Sequence, residues 1–159
     1  GYKEGAQAAF QGTTVDFRIV GNWYDASKGS ELANAMYKSG VDVILPICGG
    51  ASQGVVSAAV ETGKYLALFD TAAFDKAPGN IISCTTLDQK KMSAEITASY
   101  LAGKTEWGTA KTVGVAEGYV NFVQDAPGSK NPAVTDDMRA KMTETVESIR
   151  TGKLVLQQN

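Results

Sequence analysis

The chain has 159 residues, 15 lysines and arginines against 17 aspartates and glutamates, a net charge of -2 and no histidine. That length suits one domain able to bury a core without disulfides or metal, and the interspersed charges create no basic field for nucleic acid or anionic lipid. The absence of histidine excludes a Ser-His-Asp triad and any His-containing zinc site, and no other pattern calls for a metal or a cofactor.

Gly1 to Phe10 reads as a helix that begins at once, with no cap and no strand before it, as though it continued from a segment upstream. Val15 to Val20 is the first β-rich run. It delivers Asn22, Trp23 and Asp25 to the loop at its end. Trp23 has no evident core role there; it either stacks on a planar base or a sugar face, or packs against a neighbouring loop. Asp25 is a candidate ligand contact, although Asp25-Ala26-Ser27-Lys28 also reads as a helix N-cap, the stronger of its two readings.

The next helix carries Leu32 and Met36 on one face and stops at Ser39-Gly40. Val41 to Ile47 is an apolar strand, followed by Cys48-Gly49-Gly50-Ala51-Ser52-Gln53-Gly54 and a helix opening at Val55. A glycine-rich turn between strand and helix leaves backbone N–H groups uncovered at the helix start, where they can donate to hydroxyl or anionic oxygens. No Lys-Ser or Lys-Thr follows, so the Walker pattern fails, and the spacing is not Gly-x-Gly-x-x-Gly. Gly49 and Gly50 therefore bind sugar hydroxyls or a carboxylate, or else serve only a tight turn.

Val56 and Val60 mark the apolar face of the following helix, which ends at Gly63. Tyr65 to Phe69 reads as a strand buried on both faces, with Asp70 at its end. A carboxylate there can accept two hydrogen bonds from a vicinal diol, or cap a loop. Ile81 to Cys84 is the fourth strand, with Thr85 and Thr86 at its end and Thr86 and Gln89 forming a capping box for the helix that stops at Gly103. Met92, Ile96 and Tyr100 are its expected core face. Trp107, beyond that helix, falls at the opposite end of the sheet by alternation.

Thr112 to Ala116 reads as a fifth strand and Gly118 to Pro132 as a loop-rich connector with a turn at Asp125-Ala126-Pro127-Gly128. Thr135, Asp136 and Asp137 open a last helix with Met138, Met142, Val146 and Ile149 on its core face and Gly152 at its stop. Strands alternating with helices predict an α/β fold, a mostly parallel sheet with helices on both faces and ligand beyond the carboxyl ends of the strands. Cys48 and Cys84 read as buried thiols, which leaves the redox compartment open. No segment has the length and apolarity of a membrane span, and no signal peptide or lipidation motif begins the sequence, so the protein is either cytosolic or targeted by a region outside it.

Gly21-Asn22-Trp23-Tyr24-Asp25-Ala26-Ser27-Lys28-Gly29, Val41-Asp42-Val43-Ile44-Leu45-Pro46 with Gly49-Gly50 and Gly54-Val55, then Asp70, and Ala77-Pro78-Gly79-Asn80 form an ordered set that resembles the basic membrane protein family. That family comprises solute-binding lipoproteins of ABC importers, purine nucleoside receptors among them. The similarity runs from Gly1 through Gly152-Lys153-Leu154-Val155. It implies one lobe of a type I periplasmic binding protein, with residues 1–117 as the second ligand-binding lobe, 118–159 as connector and C-terminal helix, and a first lobe outside this sequence. It further implies a non-catalytic protein outside the cytoplasm, periplasmic or lipid-anchored, with an ABC permease as partner. Trp23, Gly49, Gly50 and Asp70 would face a nucleoside or sugar-like ligand, the glycines and the aspartate near the ribose. Family members often carry a ligand-contacting lysine shortly after the fourth strand; Leu87 stands there, and Lys90 is the substitute from the next turn. Two other readings stand beside it: a stand-alone α/β enzyme or nucleotide-binding domain using the glycine turn for phosphate, and the effector domain of a transcriptional regulator, for which no DNA-binding segment is present.

Overall fold

The computed structural model describes residues 1–155, which divide into two compact units, one of Gly1–Tyr65 and one from Leu66 on. In the first, α1 (Tyr2–Ala9) starts at Gly1 without a side-chain cap, as expected. Helix α2 (Ala26–Lys38) is capped by the Asp25 carboxylate, which accepts from Lys28 N at 2.9 Å. A two-residue strand β1 (Val43–Ile44), a 3-10 turn at Gly49–Ala51 and α3 (Ser52–Thr62) follow, and α3 closes on Gly63 in the left-handed conformation.

The core of this unit is built from small residues. A Cβ on Gly29 would come within 2.2 Å of the Ala51 carbonyl oxygen, and one on Gly54 within 1.8 Å of the Ala26 carbonyl oxygen, so α2 and α3 cross with their backbones nearly touching. The crossing buries Ala33, Tyr37, Val55, Ala58 and Ala59. Burial pushes the Tyr37 phenol up, and its hydroxyl donates to the Tyr65 carbonyl at 3.0 Å.

Three expectations fail here. The buried face of α3 lies on Gly54, Val55, Ala58 and Ala59 rather than on Val56 and Val60, because close backbone approach favours the small residues; Val60 is exposed. Val15 to Val20 is not a strand, since it has no ladder partner among the described residues, and Phe17 and Ile19 stand in solvent. The run from Val41 to Ile47 likewise contributes only Val43–Ile44 as strand.

In the second unit β2 (Tyr65–Asp70, its first residue in the preceding unit), β3 (Ile81–Leu87) and β4 (Val120–Val123) are adjacent in that order. Strands β2 and β3 run parallel, with Leu68 opposite Cys84 and Asp70 opposite Thr86, while β4 pairs antiparallel to β3. Helix α4 (Gln89–Leu101) follows β3 and α5 (Asp136–Arg150) closes the unit. Leu66, Ile81 and Cys84 are fully buried, and burial pushes the Cys84 thiol up. Both cysteines are free.

β2 is not buried on both faces: only Leu66 is buried, and Phe69 is exposed. The expected strand at Thr112 to Ala116 is absent because the Glu117 carboxylate accepts from Gly114 N at 2.7 Å and the Gly114 carbonyl accepts from Tyr119 N and Val120 N. These bonds commit the backbone to a turn, and the strand forms after it, within the stretch read as a connector. Ile96 and Tyr100 of α4 and Met138 of α5 are exposed rather than core. Met142, Val146 and Ile149 do face inward, lining a groove of about 180 Å³ with Val120 and Phe122.

The chain from Asp125 to Arg139 is held by one half-buried clasp. Arg139 Nε and Nη2 donate to the two Asp125 carboxylate oxygens, each at 2.7 Å, and Asn131 Nδ2 donates to the Gly79 and Ile81 carbonyls at 3.0 and 3.1 Å. Hydrogen bonding from Arg139, opposed by partial burial and reinforced by the Asn131 N–H, holds the Asp125 carboxyl at about 2. The unfolded chain protonates that group near the ordinary aspartate value of ~3.9. Its contribution to stability is therefore complete above that value and is lost as pH falls towards about 2. Denaturant unfolding followed between those limits should fall less steeply with acid in Asp125→Asn than in the parent, with the variant the less stable at neutral pH; parallel curves would show that the clasp contributes nothing.

Candidate functional site

In the first unit, Asn22 Oδ1 accepts from Tyr24 N at 3.1 Å and Asp25 N at 2.7 Å, a tight turn with Trp23 at its tip. The indole is 66% exposed although it follows an apolar run, so its surface is available for stacking. Beneath it lies the glycine turn. Trp23 O accepts from Ala51 N at 3.4 Å, and a Cβ on Gly49 would sit 2.9 Å from that same oxygen and 3.2 Å from indole Cε3. With φ at +58°, Gly49 is required by its own backbone and by the tryptophan above it. Gly50 has more room, 3.4 Å to Trp23 O.

Gly54 is not part of this cradle. The helix opens at Ser52, three residues before the expected Val55, and Gly54 is inside it, committed to α2. The turn at Gly49–Ala51 leads into α3, and the first N–H groups of a helical turn have no partner within that turn. Asp25 places Oδ1 on the α2 cap, which accounts for it structurally.

In the second unit Asp70 ends β2, exposed and with φ at +85°, the one non-glycine residue with positive φ among those described. Aspartate tolerates this region better than most residues, yet it still costs energy, and such strain collects at sites where the backbone must aim a functional group. Its Oδ1 accepts from Gln89 Nε2 at 3.3 Å.

Gln89 was not expected here. The Thr86-Gln89 capping box does not form: Thr86 remains in β3, and the cap of α4 is Asp88, which accepts from Lys91 N at 2.8 Å. β3 runs through Leu87, beyond the expected end at Cys84, so the helix start shifts past Thr86 and leaves the glutamine amide for Asp70. The long β-branched run was the available signal. Lys90 lies exposed in the first turn of α4. Trp107 is taken up by Tyr100, edge to face at 6.3 Å between ring centroids. Among the described residues no three His, Cys, Asp or Glu side chains converge to hold a metal ion, and no helix is long and apolar enough to cross a membrane.

A family model described as "ABC transporter substrate-binding protein PnrA-like" matches residues 1–156. Basic membrane protein A of Borreliella afzelii is 31% identical over 128 residues, 79% of this chain and 39% of that protein. The ABC transporter nucleoside-binding protein BmpA of Lactococcus lactis subsp. cremoris is 42% identical over 59 residues, 37% of this chain and 17% of that one. Among solved structures, a transcriptional activator of the comK gene from Bacillus halodurans superposes with a TM-score of 0.74 at 24% identity, covering 88% of this chain and 47% of that one. An ABC transporter solute-binding protein from Conexibacter woesei gives 0.71 at 19% identity, covering 98% and 50%. These likenesses show the α/β fold of a binding-protein lobe, and the chain spans well under half the length of Basic membrane protein A.

Proposed function

The chain belongs to the PnrA-like family of ABC transporter substrate-binding proteins, and from that premise we propose that it is the second lobe of an extracytoplasmic receptor that captures a nucleoside for an ABC permease. The observation that carries the reading is Asp70: an exposed carboxylate at the carboxyl end of a parallel strand, on the one strained non-glycine backbone among the described residues. A carboxylate so placed accepts hydrogen bonds from two adjacent hydroxyls, which a ribose offers and a phosphate does not.

Trp23 supplies an aromatic face for a base or sugar, Gly49 and Gly50 supply backbone donors, and Lys90 supplies a cation for polar atoms of the ligand. A stacking face, hydrogen-bond donors and acceptors and a cation are the equipment of ligand binding, which supports a receptor. A first lobe, supplied by the rest of a receptor of the relatives' length, closes on the ligand, and a lipid anchor outside this sequence holds the receptor at the membrane.

Calorimetry on the two-lobed protein should show one-to-one binding of ribonucleosides without any metal requirement, and weaker binding of nucleoside 5′-phosphates and hexoses. Preference for a phosphate ester with magnesium dependence would replace the receptor reading with that of a phosphate-binding domain. Preference for a hexose would retain the receptor and change its ligand.

A further inference from the structure

Asp70 and Gln89 meet across the carboxyl ends of β2 and β3, nineteen residues apart in sequence. Asp88 already caps α4 through Lys91 N, and Thr86 is held in β3 opposite Asp70. Neither the start of the helix nor the strand ladder uses the Gln89 side chain. Its Nε2 donates to Asp70 Oδ1 at 3.3 Å.

We propose that Gln89 is a positioning residue that fixes the Asp70 carboxylate in the orientation needed to accept both hydroxyls of a vicinal diol, and so sets the preference for ribose over deoxyribose. The inference rests on the nucleoside-receptor reading above. An exposed carboxylate rotates freely about its last two bonds. One hydroxyl can be met from many of those orientations, but two neighbouring hydroxyls require the carboxylate plane to match the plane of the diol. A donor on one oxygen removes that freedom before the ligand arrives, which lowers the entropy lost on binding. The glutamine amide does this without neutralising the carboxylate, so the bonds to the ligand remain charge-assisted. A lysine at the same place would compete with the hydroxyls as an ion-pair partner.

The test is calorimetry on the two-lobed protein with the four common ribonucleosides and their 2′-deoxy counterparts, for the parent, Gln89→Ala, Gln89→Glu, Asp70→Ala and the Asp70→Ala Gln89→Ala pair. Loss of this one exposed hydrogen bond, which acts on the ligand only through Asp70, should weaken ribonucleosides by roughly 3- to 10-fold in Gln89→Ala, and 2′-deoxynucleosides by less than about 2-fold. Gln89→Glu, equal in shape but repelling Asp70, should weaken ribonucleosides further. In the Asp70→Ala background Gln89→Ala should change nothing beyond about 2-fold, since the partner it positions is gone. Equal losses for both sugar classes, or a full Gln89 effect without Asp70, would overturn the proposal. Asp70→Ala that weakens ribonucleosides while Gln89→Ala does not would overturn the positioning role and leave the receptor reading standing. Failure of every nucleoside to bind the parent would overturn both.

Discussion

Replacing Asp70 by alanine should weaken ribonucleoside binding to the two-lobed protein by roughly 10- to 150-fold, the equivalent of about 1.5 to 3 kcal/mol for hydrogen bonds to a charged group. The same position gives a second, independent expectation. With φ at +85°, Asp70 holds a backbone conformation that glycine adopts without steric cost. Relief of about 1–2 kcal/mol of left-handed strain, set against ~0.5–1 kcal/mol of added chain entropy, should leave Asp70→Gly at least as stable as the parent. Affinity and stability then move in opposite directions at one residue. A residue retained for packing loses both when replaced, whereas a residue retained for ligand loses only the first. Denaturant unfolding and calorimetry on the same variant separate the two. If Asp70→Gly unfolds markedly more easily and binds as before, the carboxylate is a loop cap and has no part in recognition.

How much of this was legible beforehand follows from what each signal reports. Glycine after an apolar helical face is a local signal, and the stops at Gly63, Gly103 and Gly152 all carry positive φ as expected. Asp25 and Thr135 were legible as caps for the same reason, since a cap depends on residues three positions away. Strands depend on a partner, and the sequence of one strand does not contain it. Val15 to Val20 alternates and is β-branched, yet lacks a ladder; Val120 to Val123 looked like loop and pairs with β3. Helix faces failed where small residues decided the contact, because periodicity weights Val56 and Val60 by hydropathy while the crossing of α2 and α3 selects for lack of volume. Of the candidate site residues, Asp70 stands at a strand end as the sequence suggests, whereas Trp23 and the Gly49-Gly50 turn follow runs that form little or no strand. The sequence pattern assigns Gln89 to a capping box, and only the length of β3 places the cap at Asp88 instead.

The largest effect on the fold should come from Gly54→Ala, which adds a single methyl group. Its Cβ would meet the Ala26 carbonyl oxygen at 1.8 Å, the Ala26 carbonyl carbon at 2.7 Å and Ser30 N at 2.8 Å, all of them backbone. A side chain in the way could rotate; these atoms are fixed by the hydrogen bonds of α2, so relief requires the two helices to move apart. Overpacking a core ordinarily costs about 1–3 kcal/mol, and a backbone clash of this depth should reach at least ~3 kcal/mol. The loss also bears on binding, because α3 carries the Gly49–Ala51 turn at its start and the Ala51 N–H reaches Trp23 O from there. Pushing α3 away from α2 should break that bond and release the indole, so, in a Trp107→Phe background that leaves Trp23 as the single indole, Gly54→Ala protein that still folds should show fluorescence more quenched by iodide than the same background without it. Gly63→Ala is the control: it also adds one methyl to a glycine, the one on which α3 closes, but in open space, where only the left-handed backbone is strained, at about 1–2 kcal/mol. Its tryptophan quenching should match that same background. Equal stability losses at the two positions would mean that α2 and α3 do not cross as closely as their glycines require.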